Sequence, residues 1–185
     1  MKMRQLILLL IVLLMLACGG TTTIAPARSV DVDCNNDGIA EKLRLKEYVI
    51  GDFNGNGQKE YVAIYYRVDG KSYHDYILVG DATMDSINLE WYASNLVNEG
   101  DLNGDGADEI GMFKRGEHSS WGEYTVYTYT ADGWRELVSI SHSETWNSAP
   151  YQDLVRIDPN NTNSLIVKEI GVVDNSIVDV NVKIK

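Results

Sequence analysis

Gly100-Asp101-Leu102-Asn103-Gly104-Asp105-Gly106-Ala107-Asp108-Glu109 is the stretch that decides how this 185-residue chain is read. Oxygen-bearing side chains fall at alternate positions, Asp101, Asn103 and Asp105; a glycine follows at 106, and a further carboxylate, Glu109, closes the run. A hard cation such as Ca²⁺ gathers roughly six to eight oxygens at about 2.3–2.6 Å, and alternate residues of a tightly curled loop can all point inward. The glycine permits the sharp turn that brings the backbone carbonyl of Ala107 and the carboxylate of Glu109 back toward the first three groups. A helical EF-hand would place its bidentate glutamate at the twelfth position, which here is Met112. The spacing therefore predicts a calcium loop of another kind, set between strands.

The pattern recurs. Asp52, Asn54, Asn56, the carbonyl of Gln58 and Glu60 keep the same register, and Asp33, Asn35, Asp37, the carbonyl of Ile39 and Glu41 repeat it without the leading glycine. The competing reading of each is a solvated polar turn that holds nothing. It is weakest for the loop at Asp101 and stronger for the loop at Asp52, which has only two carboxylates. A degenerate copy begins at Asp158 but has Ile166 where the ninth-position carboxylate belongs, so it is read as a turn.

Around these loops the chain alternates between strand and turn. Lys42–Lys46 alternates charged and apolar residues, Glu60–Arg67 is rich in β-branched and aromatic residues, and Asp69-Gly70 and Asp132-Gly133 are hairpin signals. Further strands are expected at 73–79, 89–92, 109–114, 123–130, 134–142, 154–157, 165–170 and 177–184, and no stretch beyond the leader shows helical periodicity. The first loop positions at 52, 101 and 158 recur at about the length of a four-stranded propeller blade. The expected fold is all-β: antiparallel blades of a propeller-like repeat, partial or three-bladed, with calcium loops. A conventional sandwich is the alternative.

The three loops and the strands after them resemble the FG-GAP repeat of integrin alpha-subunit β-propellers and related bacterial proteins, whose blades carry a G-D-[FL]-N-G-D-G-x-x-[DE] loop. The resemblance covers about half of the chain beyond the leader. It implies calcium as the bound ion, antiparallel blades, and often adhesion or glycan binding. The chain departs from the family in length, because a propeller usually closes with four to eight blades.

The N-terminus is read separately from the fold. Lys2 and Arg4 precede an apolar run, Leu6–Leu16, that is short for a bilayer span, and Met15-Leu16-Ala17-Cys18 looks like a lipobox. Residues 1–17 are expected to be a lipoprotein signal peptide, Cys18 the lipid-carrying residue, and 18–29 a flexible linker to a single domain at 30–185. An ordinary signal peptide cut nearby is the alternative. Gly19 lacks the retention character of an aspartate at that place, so the bacterial outer membrane is the favoured location.

Loss of residues 1–17 removes Lys2 and Arg4 and takes the formal net charge from −11 to −13. That excludes a nucleic-acid partner, whose affinity rests on lysine and arginine neutralising phosphates. Beyond Cys18 only Cys34 remains.

His74, His118 and His142 show no metal or catalytic spacing and read as surface residues. Glu117-His118-Ser119-Ser120 places acid, base and hydroxyls side by side, but sequence neighbours rarely form a working triad. Trp121, between Gly116 and Gly122 in a polar excursion, is the aromatic best placed to meet a ligand, whereas Trp134 is read as core. The function expected is non-enzymatic: an exported, calcium-binding lipoprotein that binds an envelope protein or a glycan. A calcium-dependent hydrolase, or an accessory subunit of one, is the alternative.

Overall fold

The computed structural model describes residues 25–33, 38–67, 76–80, 83–89, 92–116, 118–145, 149–170 and 176–184. Cys18, Cys34, Asn35, Asp37, His74, Trp91, Glu117 and Trp146 lie outside them. The described chain is all-β. β1 (Ser29–Val32), β2 (Glu41–Gly51), β3 (Glu60–Arg67), β4 (Tyr76–Val79) and β5 (Ser86–Leu89) form one sheet in chain order. A second sheet consists of β6 (Tyr92–Gly100), β7 (Glu109–Arg115), β8 (Trp121–Thr130) and β9 (Gly133–Ser143). The third is β10 (Val155–Asp158), β11 (Asn161–Ile170) and β12 (Ile177–Lys183), preceded by a single 3₁₀ turn at Tyr151–Asp153. Every pairing within the sheets is antiparallel, and none of the three closes on itself.

The sheets are held together by two cores, one on each face of the middle sheet. Phe53, Val62 and Ile64 of the first sheet pack with Ala93, Leu96, Ile110 and Met112 of the second. On the other face Phe113, Tyr124, Val126 and Ile140 meet Leu154, Val155, Leu165 and Val167. Successive strand residues point to opposite faces, so a strand buried on both sides loses its polar alternation. That is why β7 reads Glu-Ile-Gly-Met-Phe without a break, Met112 entering one core and Phe113 the other.

The outer sheets differ on the faces they turn away. On the third, Arg156 and Lys168 reach Asp179 at 2.8 and 3.1 Å, on the face that also carries Ile166 and Ile177. The first carries Leu43, Ala63 and Tyr65, backed by Val30, Leu45 and Tyr61. Part of it is covered by residues expected to be linker. Leu45 N–H donates to the Arg28 carbonyl (3.0 Å) and Tyr65 Oη to the Ala27 carbonyl (2.8 Å), so ordered structure begins before residue 30.

Two local readings need correction. No strand is expected between residues 79 and 89, yet β5, Ser86-Ile87-Asn88-Leu89, pairs with β4 there; edge pairing and one buried residue, Leu89, suffice for a strand that short. His142 is not a surface residue. It is 1 % exposed, in phase with Val138 and Ile140, and stacks between Phe113 and Tyr151 at ring-centre distances of 5.1 and 5.0 Å.

Candidate metal loops and aromatic cleft

The loop at Asp101 joins β6 to β7 and the loop at Asp52 joins β2 to β3, so the two occupy equivalent connections in adjacent sheets. The degenerate copy is the tight turn between β10 and β11, where Asp158 pairs with Asn161 and Asp158 Oδ1 accepts from Asn160 N–H at 2.8 Å. The Asp33 loop instead joins β1 to β2 within the first sheet. In both full loops the second residue, Leu102 or Phe53, is buried in a core and anchors the turn.

Around Asp101 the backbone curls over one carboxylate. Asp101 Oδ1 accepts from the N–H groups of Gly104 (2.7 Å) and Asp105 (3.1 Å), and Oδ2 accepts from Gly106 N–H (3.0 Å). Asp105 Oδ1 accepts from Ala107 N–H at 2.9 Å. Gly104 and Gly106 sit at φ +79° and +92°, in the left-handed region where a side chain would be strained. The Asn103 amide nitrogen lies among three oxygens, donating to Asp105 Oδ2 (2.9 Å), Glu109 Oε1 (3.0 Å) and Thr128 Oγ1 (3.2 Å).

Glu109 is the most unusual carboxylate of the loop. Its residue is 0 % exposed, and its Oε2 accepts from Leu102 N–H at 2.6 Å. Burial pushes its pKa up to about 7; the bonds from Leu102 and Thr128 oppose that rise, and the charges of Asp105 and Asp101 add to it. A buried carboxylate with like-charged neighbours is short of positive charge. The donors gathered here, carboxylates, an amide and a hydroxyl, are the oxygen-rich set that suits a hard cation rather than a soft one. The loops nevertheless stand closed on their own N–H groups. Among the described residues no three His, Cys, Asp or Glu side chains converge as a metal-holding group.

The Asp52 loop follows the same plan with fewer charges. Asp52 accepts from Asn56 N–H (3.0 Å) and Gly57 N–H (2.8 Å), Asn56 Oδ1 from Gln58 N–H (2.7 Å), and buried Glu60 from Asn54 N–H (2.8 Å). In the Asp33 loop, Asp33 accepts from Gly38 N–H at 2.8 Å and Ile39 is exposed. Glu41, its ninth position, lies 3.7 Å from Arg67. A resident guanidinium supplies that carboxylate with positive charge, whereas among the described residues no cation pairs with Glu109.

The two full loops touch, which sequence could not show. Asp108 N–H donates to the Asp52 carbonyl (2.7 Å), while Asp108 Oδ2 accepts from Asp52 N–H and Asn98 Nδ2, each at 3.0 Å. Asn98 Nδ2 also donates to the Ile50 carbonyl at 3.1 Å. Gly51 is required at this crossing, because a Cβ there would lie 2.5 Å from Asn98 Nδ2 and 2.6 Å from Asp108 Oδ2. Thr128, the hydroxyl beneath Asn103, is likewise invisible without the register of β8.

A second feature lies at the far end of the middle sheet. Trp121 is 44 % exposed and lines a cavity of about 530 Å³ with Lys114, Arg115, Gly116, Gly122, Glu123 and Ser141. Lys114 Nζ donates to Tyr127 Oη at 2.9 Å and lies 4.0 Å from Glu123, and Arg115 lies 3.5 Å from Glu144. His118, in the adjoining turn, is exposed, and Ser119 Oγ accepts from Trp121 N–H at 3.0 Å.

Compared with protein-family profiles, with curated proteins and with solved structures, the chain gives no match. Among the described residues no helix is long and apolar enough to cross a membrane.

Proposed function

We propose that the chain is a calcium-binding, non-enzymatic binding module of the bacterial cell envelope, held to a membrane through lipid on Cys18. The observation that carries this reading is the Asp101 loop, where Glu109 is fully buried against acidic neighbours. Asp101, Asp105 and Glu109, with the Asn103 amide and the Ala107 carbonyl, would hold the ion. Bound calcium would supply the positive charge that these carboxylates lack. The Asp52 and Asp33 loops are further sites of the same kind, weaker because the first has fewer carboxylates and the second has Arg67 at its glutamate. Three stacked meanders with equivalent loops in adjacent sheets support a propeller-like, blade-by-blade arrangement.

Binding is supported by the Trp121 cleft, where an exposed indole borders a cavity lined by Lys114, Glu123 and Ser141. The partner is an envelope protein or a glycan.

Thermal melting in EDTA and in excess Ca²⁺ tests the reading. A ligand that binds the native state alone raises stability with its concentration, by about 2.7 kcal/mol at a hundredfold excess over Kd. The expected result is a higher melting temperature in calcium than in EDTA or magnesium. Identical curves would refute it.

A further inference from the structure

The residues around Trp121 are arranged in rows. Lys114 on β7 stands directly opposite Glu123 on β8, and Glu123 directly opposite Ser141 on β9, so a cation, a carboxylate and a hydroxyl cross three strands in one line. Trp121 lies two residues from Glu123 on the same strand and therefore on the same face, one rung along, opposite Ser143. Gly122 between them lets β7 approach: a Cβ there would lie 2.0 Å from the Lys114 carbonyl oxygen.

We infer that this cleft binds an uncharged saccharide through neighbouring hydroxyls in the row Lys114–Glu123–Ser141, with one sugar face on the Trp121 ring. The inference deepens the binding-module reading and rests on it. An exposed indole offers the flat apolar surface that the C–H face of a sugar ring covers, and a cavity of about 530 Å³ lies within the roughly 300–1,000 Å³ of small-molecule sites. A hydroxyl both donates and accepts, so adjacent donor and acceptor side chains match adjacent hydroxyls. Charge balance selects the neutral class. Lys114 faces Glu123 at 4.0 Å, so among the described residues the row carries one charge of each sign, while Arg115, its neighbour on β7, alternates to the opposite face toward Glu144. An acidic sugar would gain no net attraction there and would approach a chain of formal charge −11. A cationic ligand would meet Lys114.

Native gel electrophoresis in calcium with dextran, a β-glucan or a galactomannan cast in the gel, set against alginate and polygalacturonate, tests this. The wild type should be retarded by at least one neutral polymer and by neither acidic one. Trp121→Ala should weaken that retardation about tenfold or more, the scale of losing a buried aromatic anchor. Trp121→Phe should retain part of it, and Glu123→Gln should weaken it without changing the melting temperature. Stronger retardation by the uronic-acid polymers overturns the charge argument. Lack of retardation by every polymer, or retardation unchanged in Trp121→Ala, overturns the inference. So does association with an envelope-protein fraction that depends on Trp121 in the absence of any polysaccharide effect. The calcium reading is scored separately, by melting the same proteins in EDTA and Ca²⁺.

Discussion

Asp108→Ala should loosen the bond between the Asp52 and Asp101 loops without touching either predicted ligand set. One oxygen of Asp108 accepts from Asp52 N–H and from Asn98 Nδ2, both at 3.0 Å, and the substitution deletes both bonds at once. Net hydrogen bonds contribute about 0.5–1.5 kcal/mol each, and about 1.5–3 when one partner is charged. Here the crossing is partly open to solvent and water can replace the lost acceptor, so the two together should contribute about 1–3 kcal/mol. For a chain of this size 1 kcal/mol moves the melting temperature by about 2–4 °C. The variant should therefore melt about 2–12 °C lower. The assay is calorimetry in EDTA, where metal binding cannot mask the effect. Asp108→Asn keeps an acceptor oxygen and should fall between wild type and alanine. In a double-mutant cycle, Asn98→Ala and Asp108→Ala should be non-additive by at least about 0.5 kcal/mol, because they share a bond. An Asp108→Ala protein that melts within 1 °C of wild type, or strict additivity with Asn98→Ala, would refute the bracing role.

Two further outcomes follow from the cores. Phe53→Ala empties the buried second position of the Asp52 loop and should cost about 3–5 kcal/mol, read by urea unfolding, whereas a change at an exposed aromatic, Tyr48→Ala, should cost far less. Burial lowers the His142 imidazole below its usual 6.5, so the unfolded chain takes up the proton first; stability is full above about pH 6.5 and falls below it, by at most about 1.4 kcal/mol per pH unit. His142→Phe should flatten that acid limb relative to wild type in a pH series of melts, and identical acid limbs would contradict the assignment.

Much of the fold was legible because its cause is local. The β-branched and aromatic content of residues 60–67 coincides with β3, and Asp132-Gly133 turns β8 into β9. The recurrence at 52, 101 and 158 falls between paired strands of each sheet in turn, at β2–β3, β6–β7 and β10–β11. His142 carries a signal in its spacing: alternation puts it on the face of Val138 and Ile140. Other features had none. Asp108 acts on a loop 56 residues away, and Lys114, Glu123 and Ser141 form a row only once strand register is fixed. Burial of Glu109 depends on how the sheets stack, so the spacing could name it as a ligand without revealing the charge it lacks.

The central claim is that the Asp101 loop holds calcium, and the most direct measurement is an equilibrium calcium titration of the purified protein beside its Asp101→Ala and Asp52→Ala variants. Charge count, and among the described residues no arginine at Glu109 of the kind that Glu41 has, rank the Asp101 loop first among the three. The wild type should bind calcium with its tightest phase lost in Asp101→Ala and kept in Asp52→Ala. No calcium uptake by the folded wild type, or loss of the tightest phase in Asp52→Ala alone, would contradict the account.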